Sequence, residues 1–151
     1  MKRSIAMVVI AVVAVGIVFA GGEQEDGGKP FIGVSVPSAD HGWTGAVIDY
    51  AEAGLEKFDV DGRVLTAADV NKQSNDVEDL IAQGVDAIVI LPLEGSPLTP
   101  AAQSVLDAGI PLVNFDRELD DEAYTALVMG DNSGIGTNGA AWLVDKLDGS
   151  G

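Results

Sequence analysis

The alternation of short β-rich runs with helically spaced apolar residues constrains the fold of this chain more than any other feature. Residues 31–36 read as a first strand. Trp43, Val47, Tyr50, Gly54 and Phe58 then recur at the spacing of a single helix face and predict an amphipathic helix. Residues 63–66 form a second, weaker strand. Val77, Leu80 and Ile81 mark the buried stripe of a second helix, which Gly84 stops. Residues 87–91 are continuously apolar, as expected of a strand covered on both faces. Thr99 and Pro100 open a third helix as capping residue and first-turn proline, and Gly109 closes it. Residues 111–115 and 123–129 read as strands four and five. A fourth helix follows, with Ile135, Gly139, Trp142 and Leu143 on one face. Strands joined by crossover helices demand a parallel sheet with both faces covered. The predicted fold class is therefore α/β, a doubly wound, mostly parallel sheet flanked by helices.

The N-terminus is of another character. Met1, Lys2 and Arg3 precede an apolar run over residues 5–19 that ends at Val18-Phe19-Ala20. This pattern predicts a secretory signal over residues 1–20, cleaved before Gly21. An uncleaved anchor is the competing reading, but the run is shorter than the ~20 residues a helix needs to cross a bilayer. Either reading puts the rest of the chain outside the cytoplasm, in the periplasm or beyond. Residues 21–29 are Gly- and acid-rich and read as a flexible leader, and residues 30–151 as one lobe. The chain has no cysteine, which excludes disulfides, thiolate metal sites and a lipid-modified cysteine. All 24 acidic side chains and six of the eight basic ones follow residue 20, giving residues 21–151 a net charge of −18. A surface so acidic repels nucleic acid and anionic membranes, so neither is an expected partner, and no membrane insertion is expected after signal cleavage. The acidity serves solubility, or adaptation to a saline medium.

Ligands in open α/β sheets sit beyond the carboxyl ends of the strands, near the topological switch point. The residues just after each predicted strand therefore define the candidate site: Asp40, His41 and Trp43 after the first, Asn71 after the second, and Glu94 after the third. Asp116 and Arg117 follow the fourth strand, and Asp131 the fifth. Carboxylates, an amide, a guanidinium and an aromatic ring are the chemistry that binds sugars. Planar charged groups pair with adjacent hydroxyls, and an aromatic face packs on the C–H side of the ring. Each residue also has a plainer reading. Asp116 and Arg117 form a surface pair, Trp43 packs in the core, and Asp131 caps the last helix.

No metal is expected, because the chain has one histidine and no cysteine. No cofactor is expected either. Gly134-Ile135-Gly136-Thr137-Asn138-Gly139 spells G-x-G-x-x-G, but it follows the fifth strand rather than the first, and no strand with an acidic residue follows it. Its glycines are expected to let the fourth helix pack closely. The nucleotide P-loop, catalytic triad and H-E-x-x-H patterns are missing from the sequence, and no acidic pair stands out for glycoside hydrolysis, so no enzymatic activity is expected.

Four stretches carry a family resemblance. They are Lys29-Pro30-Phe31-Ile32-Gly33-Val34-Ser35, residues 75–90 (NDVEDLIAQGVDAIVI), residues 108–117 (AGIPLVNFDR) and Met129-Gly130-Asp131-Asn132. In these the chain resembles the N-terminal lobe of the periplasmic ribose-type sugar-binding proteins of ABC importers, which share a fold with LacI-type regulators. The resemblance implies that Asp116 and Arg117 hydrogen-bond sugar hydroxyls, and that an importer permease is a partner. The loop Asp40-His41-Gly42-Trp43 departs from the family's usual asparagine and paired phenylalanines. The signal segment, with no helix-turn-helix, favours transport over regulation. Family members have two lobes closing on the ligand and the sequence covers one, which fits a truncated product, half of a split protein or a fragment of a longer one; in the split case a separately encoded second lobe is a further expected partner. A ligand-sensing module for a chemoreceptor or histidine kinase is the alternative function, with a carboxylate-based hydrolase behind it.

Overall fold

A computed structural model describes residues 28–149, so the predicted signal segment and most of the leader lie outside the described residues. Five strands and four helices follow in the expected order. They are β1 (Phe31–Pro37), α1 (Gly42–Lys57), β2 (Asp61–Ala67), α2 (Val70–Ala82), β3 (Ala87–Ile90), α3 (Gly95–Asp107), β4 (Leu112–Phe115), β5 (Ala126–Val128) and α4 (Asn132–Lys146). The sheet order is β2-β1-β3-β4-β5, and every neighbouring pair is parallel. The strand order reverses between β1 and β3, which makes the ends of those two strands the switch point.

The period-2 alternation of the strands divides the core. Ile88, Ile90 and Leu112 face a cluster with Val77 and Leu80 of α2 and Leu98, Ala102 and Val105 of α3. Val34, Val36 and Leu91 face α1 on the other side, against Val47, Ile48 and Ala51. Burying each of the larger aliphatic side chains contributes about 1.5–3 kcal/mol, which makes the α2–α3 face the main source of cohesion. Gly84 and Gly109 take φ of +69° and +76°, the left-handed conformation that ends α2 and α3 as expected.

Three local expectations are corrected. The third helix begins at Gly95, not at Thr99, and Pro100 lies inside it. Pro97 already occupies the first turn, where its missing N–H has no helical partner to lose, and the Thr99 hydroxyl donates to the Gly95 carbonyl at 3.1 Å. In α1 only Val47 of the expected stripe Trp43, Val47, Tyr50, Gly54 and Phe58 packs on the sheet core: Tyr50 is 79% and Phe58 72% exposed. Thr44, Ile48 and Ala51, each one residue on from an expected position, face the sheet beside Val47. Finally, α4 buries no side chain, and Ile135, Trp142, Leu143 and Val144 are all exposed. A Cβ at Gly136 or Gly139 would meet nothing within 4 Å, so these glycines serve no close packing among the described residues.

The β4–β5 connection contains only a short 3-10 turn, Asp120–Glu122. It is held against α3 by Leu119, which is buried, and by the Asp120 N–H donating to Thr99 Oγ1 at 3.0 Å. Because it is pinned there, β5 joins the sheet in parallel without a crossover helix.

Candidate functional site

The carboxyl ends of four strands converge on a polar cleft of about 310 Å³. Pro37 closes β1 and Ala67 closes β2, Leu93 follows β3, and Arg117 follows β4. Ser38, Asp40, Thr44 and Ala68 complete the lining. The cleft lies at the switch point, where the parallel topology leaves the strand ends uncovered.

Arg117 reaches the cleft because of the backbone just before it. Asp116 takes the left-handed conformation (φ 64°), which aspartate tolerates better than most residues. Its N–H donates to the Val128 carbonyl of β5 at 2.8 Å, and the Arg117 N–H donates back to Phe115 O at 2.8 Å. The chain thus turns sharply at the end of β4. The Arg117 guanidinium then donates through Nη1 to the carbonyls of Pro92 (3.2 Å) and Leu93 (2.8 Å). Among the described residues its Nε and Nη2 have no protein acceptor, so most of its donor fork remains for a ligand.

Asp40 supplies the acceptor. The Thr44 hydroxyl donates to Asp40 Oδ1 at 3.0 Å and accepts from the Asp40 N–H at 3.3 Å. That hydrogen bond, with electrostatic contributions from His41 and the Arg117 guanidinium, holds the Asp40 carboxyl below the ordinary carboxylate range despite some opposing desolvation. Asp40 and Arg117 line the same cleft but form no ion pair with each other among the described residues. A carboxylate and a guanidinium placed in this way can accept and donate to vicinal hydroxyls bound between them.

The other expected residues are placed differently. His41 caps α1 and lies 3.4 Å from Asp40, with its ring stacked on Trp43 at 6.3 Å. Trp43 is 44% exposed and stacks on Phe115 at 6.3 Å and 17°. It lines a second, apolar groove of about 420 Å³ beside the cleft, together with Val34, Val36, Val47 and Val89. Asn71 and Glu94 are exposed at the starts of α2 and α3, outside the lining of the cleft. Asp116 acts through its backbone turn and does not line the cleft. Asp131 caps α4 by accepting from the Gly134 N–H at 2.8 Å. Among the described residues no three His, Asp or Glu side chains cluster to hold a metal ion, and no helix is long and apolar enough to cross a membrane.

Sequence reasoning from strand ends missed Thr44 and Leu93. Thr44 was detectable as a hydroxyl four residues after Asp40 in a helix's first turn. Leu93 contributes a backbone carbonyl, for which its side chain gives no signal.

Residues 32–151 match the sequence profile of the periplasmic binding protein domain. The ribose import binding protein of Bacillus subtilis (strain 168) is 43% identical over 79 residues, covering 52% of this chain and 26% of that protein. The D-apiose import binding protein of Paraburkholderia graminis is 30% identical over 146 residues, covering 95% of this chain and 46% of that protein. Among solved structures, the fructose-binding periplasmic domain of a hybrid two-component system superposes with a TM-score of 0.73 at 30% identity, covering 81% of this chain and 41% of that one. The chain thus spans between about a quarter and just under half the length of these relatives. All three are described as binding proteins or domains, and the chain falls with them rather than with enzymes, as its sequence led us to expect.

Proposed function

Because the chain belongs to the periplasmic binding protein domain family, we propose that its cleft holds one side of a sugar outside the cytoplasm, for delivery to an ABC importer. The observation that carries this reading is the juxtaposition of Asp40 and Arg117. The two are oppositely charged and not paired with each other, and they line a cleft of about 310 Å³ where four strand ends meet. The importer role is supported by relatives described as import binding proteins, and the periplasmic location by the periplasmic binding protein domain and the fructose-binding periplasmic domain. Asp116 contributes by shaping the turn that presents Arg117, and Trp43, with His41 beside it, supplies an aromatic wall at the edge of the cleft.

A second lobe supplies the other half of the site in this reading, encoded with this one or separately. The exposed apolar side of α4 and the uncovered groove beside α1 are surfaces that such a lobe would cover. Covering them removes apolar area from water, the main driving term for docking lobes together. A sensing role is the second reading, favoured by the fructose-binding domain of a two-component system among the structural neighbours.

Calorimetric titration of the chain with a panel of pentoses and hexoses, alone and with a separately expressed second lobe, tests the proposal. The expected result is weak binding by the chain alone, strengthened by the added lobe and abolished by Arg117→Ala without loss of the folded state. A folded chain that binds no sugar in either arrangement would overturn it.

A further inference from the structure

We propose that Gln73 is a positioning residue for the cleft, holding the turn that orients Arg117; its effect on ligand binding rests on the sugar reading above. Gln73 lies on α2 and is completely buried. A buried amide without partners loses its hydrogen bonds to water with nothing in return, so a long polar side chain in this core requires a reason. Gln73 is paired at both ends. Its Nε2 donates to the Leu91 carbonyl at 2.8 Å, and its Oε1 accepts from the Leu93 N–H at 2.8 Å.

These two bonds clamp the segment that leaves β3. The last strand bond is made by the Leu91 N–H to the Ser35 carbonyl at 3.0 Å, and Pro92 has no N–H to give. Among the described residues, Gln73 is the only side chain other than Arg117 that bonds to the backbone of Leu91, Pro92 or Leu93. The carbonyls of Pro92 and Leu93 are the two acceptors that fix Arg117 Nη1. Leu93 therefore bonds to Gln73 through its N–H and to Arg117 through its C=O. Loss of the Gln73 bridge frees the turn and the guanidinium together. A residue serving only the core would stabilise α2 without changing Arg117.

The two roles separate by NMR of the full chain, ¹⁵N-labelled and without ligand. The sequence has three arginines, Arg3, Arg63 and Arg117, so the Arg117 Nη–H resonances can be assigned with an Arg117→Lys variant. Gln73→Met keeps the side-chain length and removes both hydrogen bonds. It is expected to raise solvent exchange at the Arg117 Nη1 hydrogens by about tenfold, as their bonds to the Pro92 and Leu93 carbonyls loosen. Val77→Ala, a cavity in the same helix, lowers stability and should leave that exchange unchanged. Should Gln73→Met fail to fold, Gln73→Glu keeps the acceptor for Leu93 and loses the donor to Leu91, and a smaller rise is expected. Unchanged Arg117 exchange in a folded Gln73 variant, or an equal rise in Val77→Ala, would overturn the proposal. Titration with D-ribose is the second arm, with binding about tenfold weaker in Gln73→Met and no further loss when that change is added to Arg117→Lys. A wild-type chain that ignores every sugar would defeat the sugar reading, while the ligand-free arm still decides the role of Gln73.

Discussion

Gly95→Ala is the substitution whose sign the structure reverses. Replacing glycine by alanine within a helix ordinarily stabilises by about 0.5–1 kcal/mol, by removing unfolded-state freedom. Gly95 is the first residue of α3, and its φ is not in the left-handed region. A Cβ there would fall well inside van der Waals contact with the Glu118 carbonyl oxygen and lie 3.7 Å from Leu119 Cα. The obstruction is backbone, which cannot rotate away. It is also pinned from behind by buried Leu119 and by the Asp120 N–H on Thr99 Oγ1. Overpacking at such a site costs about 1–3 kcal/mol, which exceeds the propensity gain. The net expectation is a loss of about 1–2 kcal/mol, seen as a fall of about 3–10 °C in Tm by calorimetry or circular dichroism. Gly139→Ala, at an exposed site in α4 with nothing within 4 Å, is the control and should not lower Tm. A Gly95→Ala protein that melts at the wild-type temperature or above would refute the packing argument.

Two further predictions concern the cleft and α4. Thr44→Val removes the hydroxyl that most depresses the Asp40 carboxyl, so its titration, followed by ¹³C NMR, should move up toward the ordinary carboxylate range. The sign follows from the depression: with Thr44 present, the Asp40 carboxylate favours the folded state above its unfolded pKa, and this contribution fades as pH falls through the depressed folded value. An unmoved or lowered titration would contradict the hydrogen bond. Ending the chain after Asp131 removes α4, and because α4 buries no side chain the thermal transition of the remainder should stay within about 1–2 °C of wild type. A large fall would show that α4 packs on this body.

Much of the fold was legible because strands and helices here differ in period. Ile88 and Ile90 alternate with Val89 and Leu91, and this alternation both marks the strand and assigns the two core faces. The glycines at 84 and 109 were equally plain, since only their positive φ explains a stop there. The face of α1 was misread because Trp43, Tyr50 and Phe58 are large, and size competes with phase in reading a stripe. Thr44, polar and small, carries the buried phase instead. The start of α3 was hidden by two prolines three residues apart, either of which suits a first turn. At the site, the rule of strand ends found Asp40 and Arg117 without a structure. It also selected Asn71 and Glu94, exposed at helix starts and outside the lining, and Asp131, which caps α4. A residue that starts a helix after a strand is well placed both to cap and to bind, and sequence does not separate the two. Gln73 escaped because its work is done in the core, through backbone atoms that any residue type would present.

The central claim is that a sugar sits between Asp40 and Arg117, and ¹⁵N-NMR titration of the chain with D-ribose, D-fructose and related sugars tests it most directly. The account predicts saturable shifts centred on Ser38, Asp40, Thr44, Ala68, Leu93 and the Arg117 side chain, with the Trp43 ring at their edge, and their loss in Arg117→Ala. Shifts centred instead on the apolar groove of Val36, Val47 and Val89, or none at any sugar concentration, would contradict it.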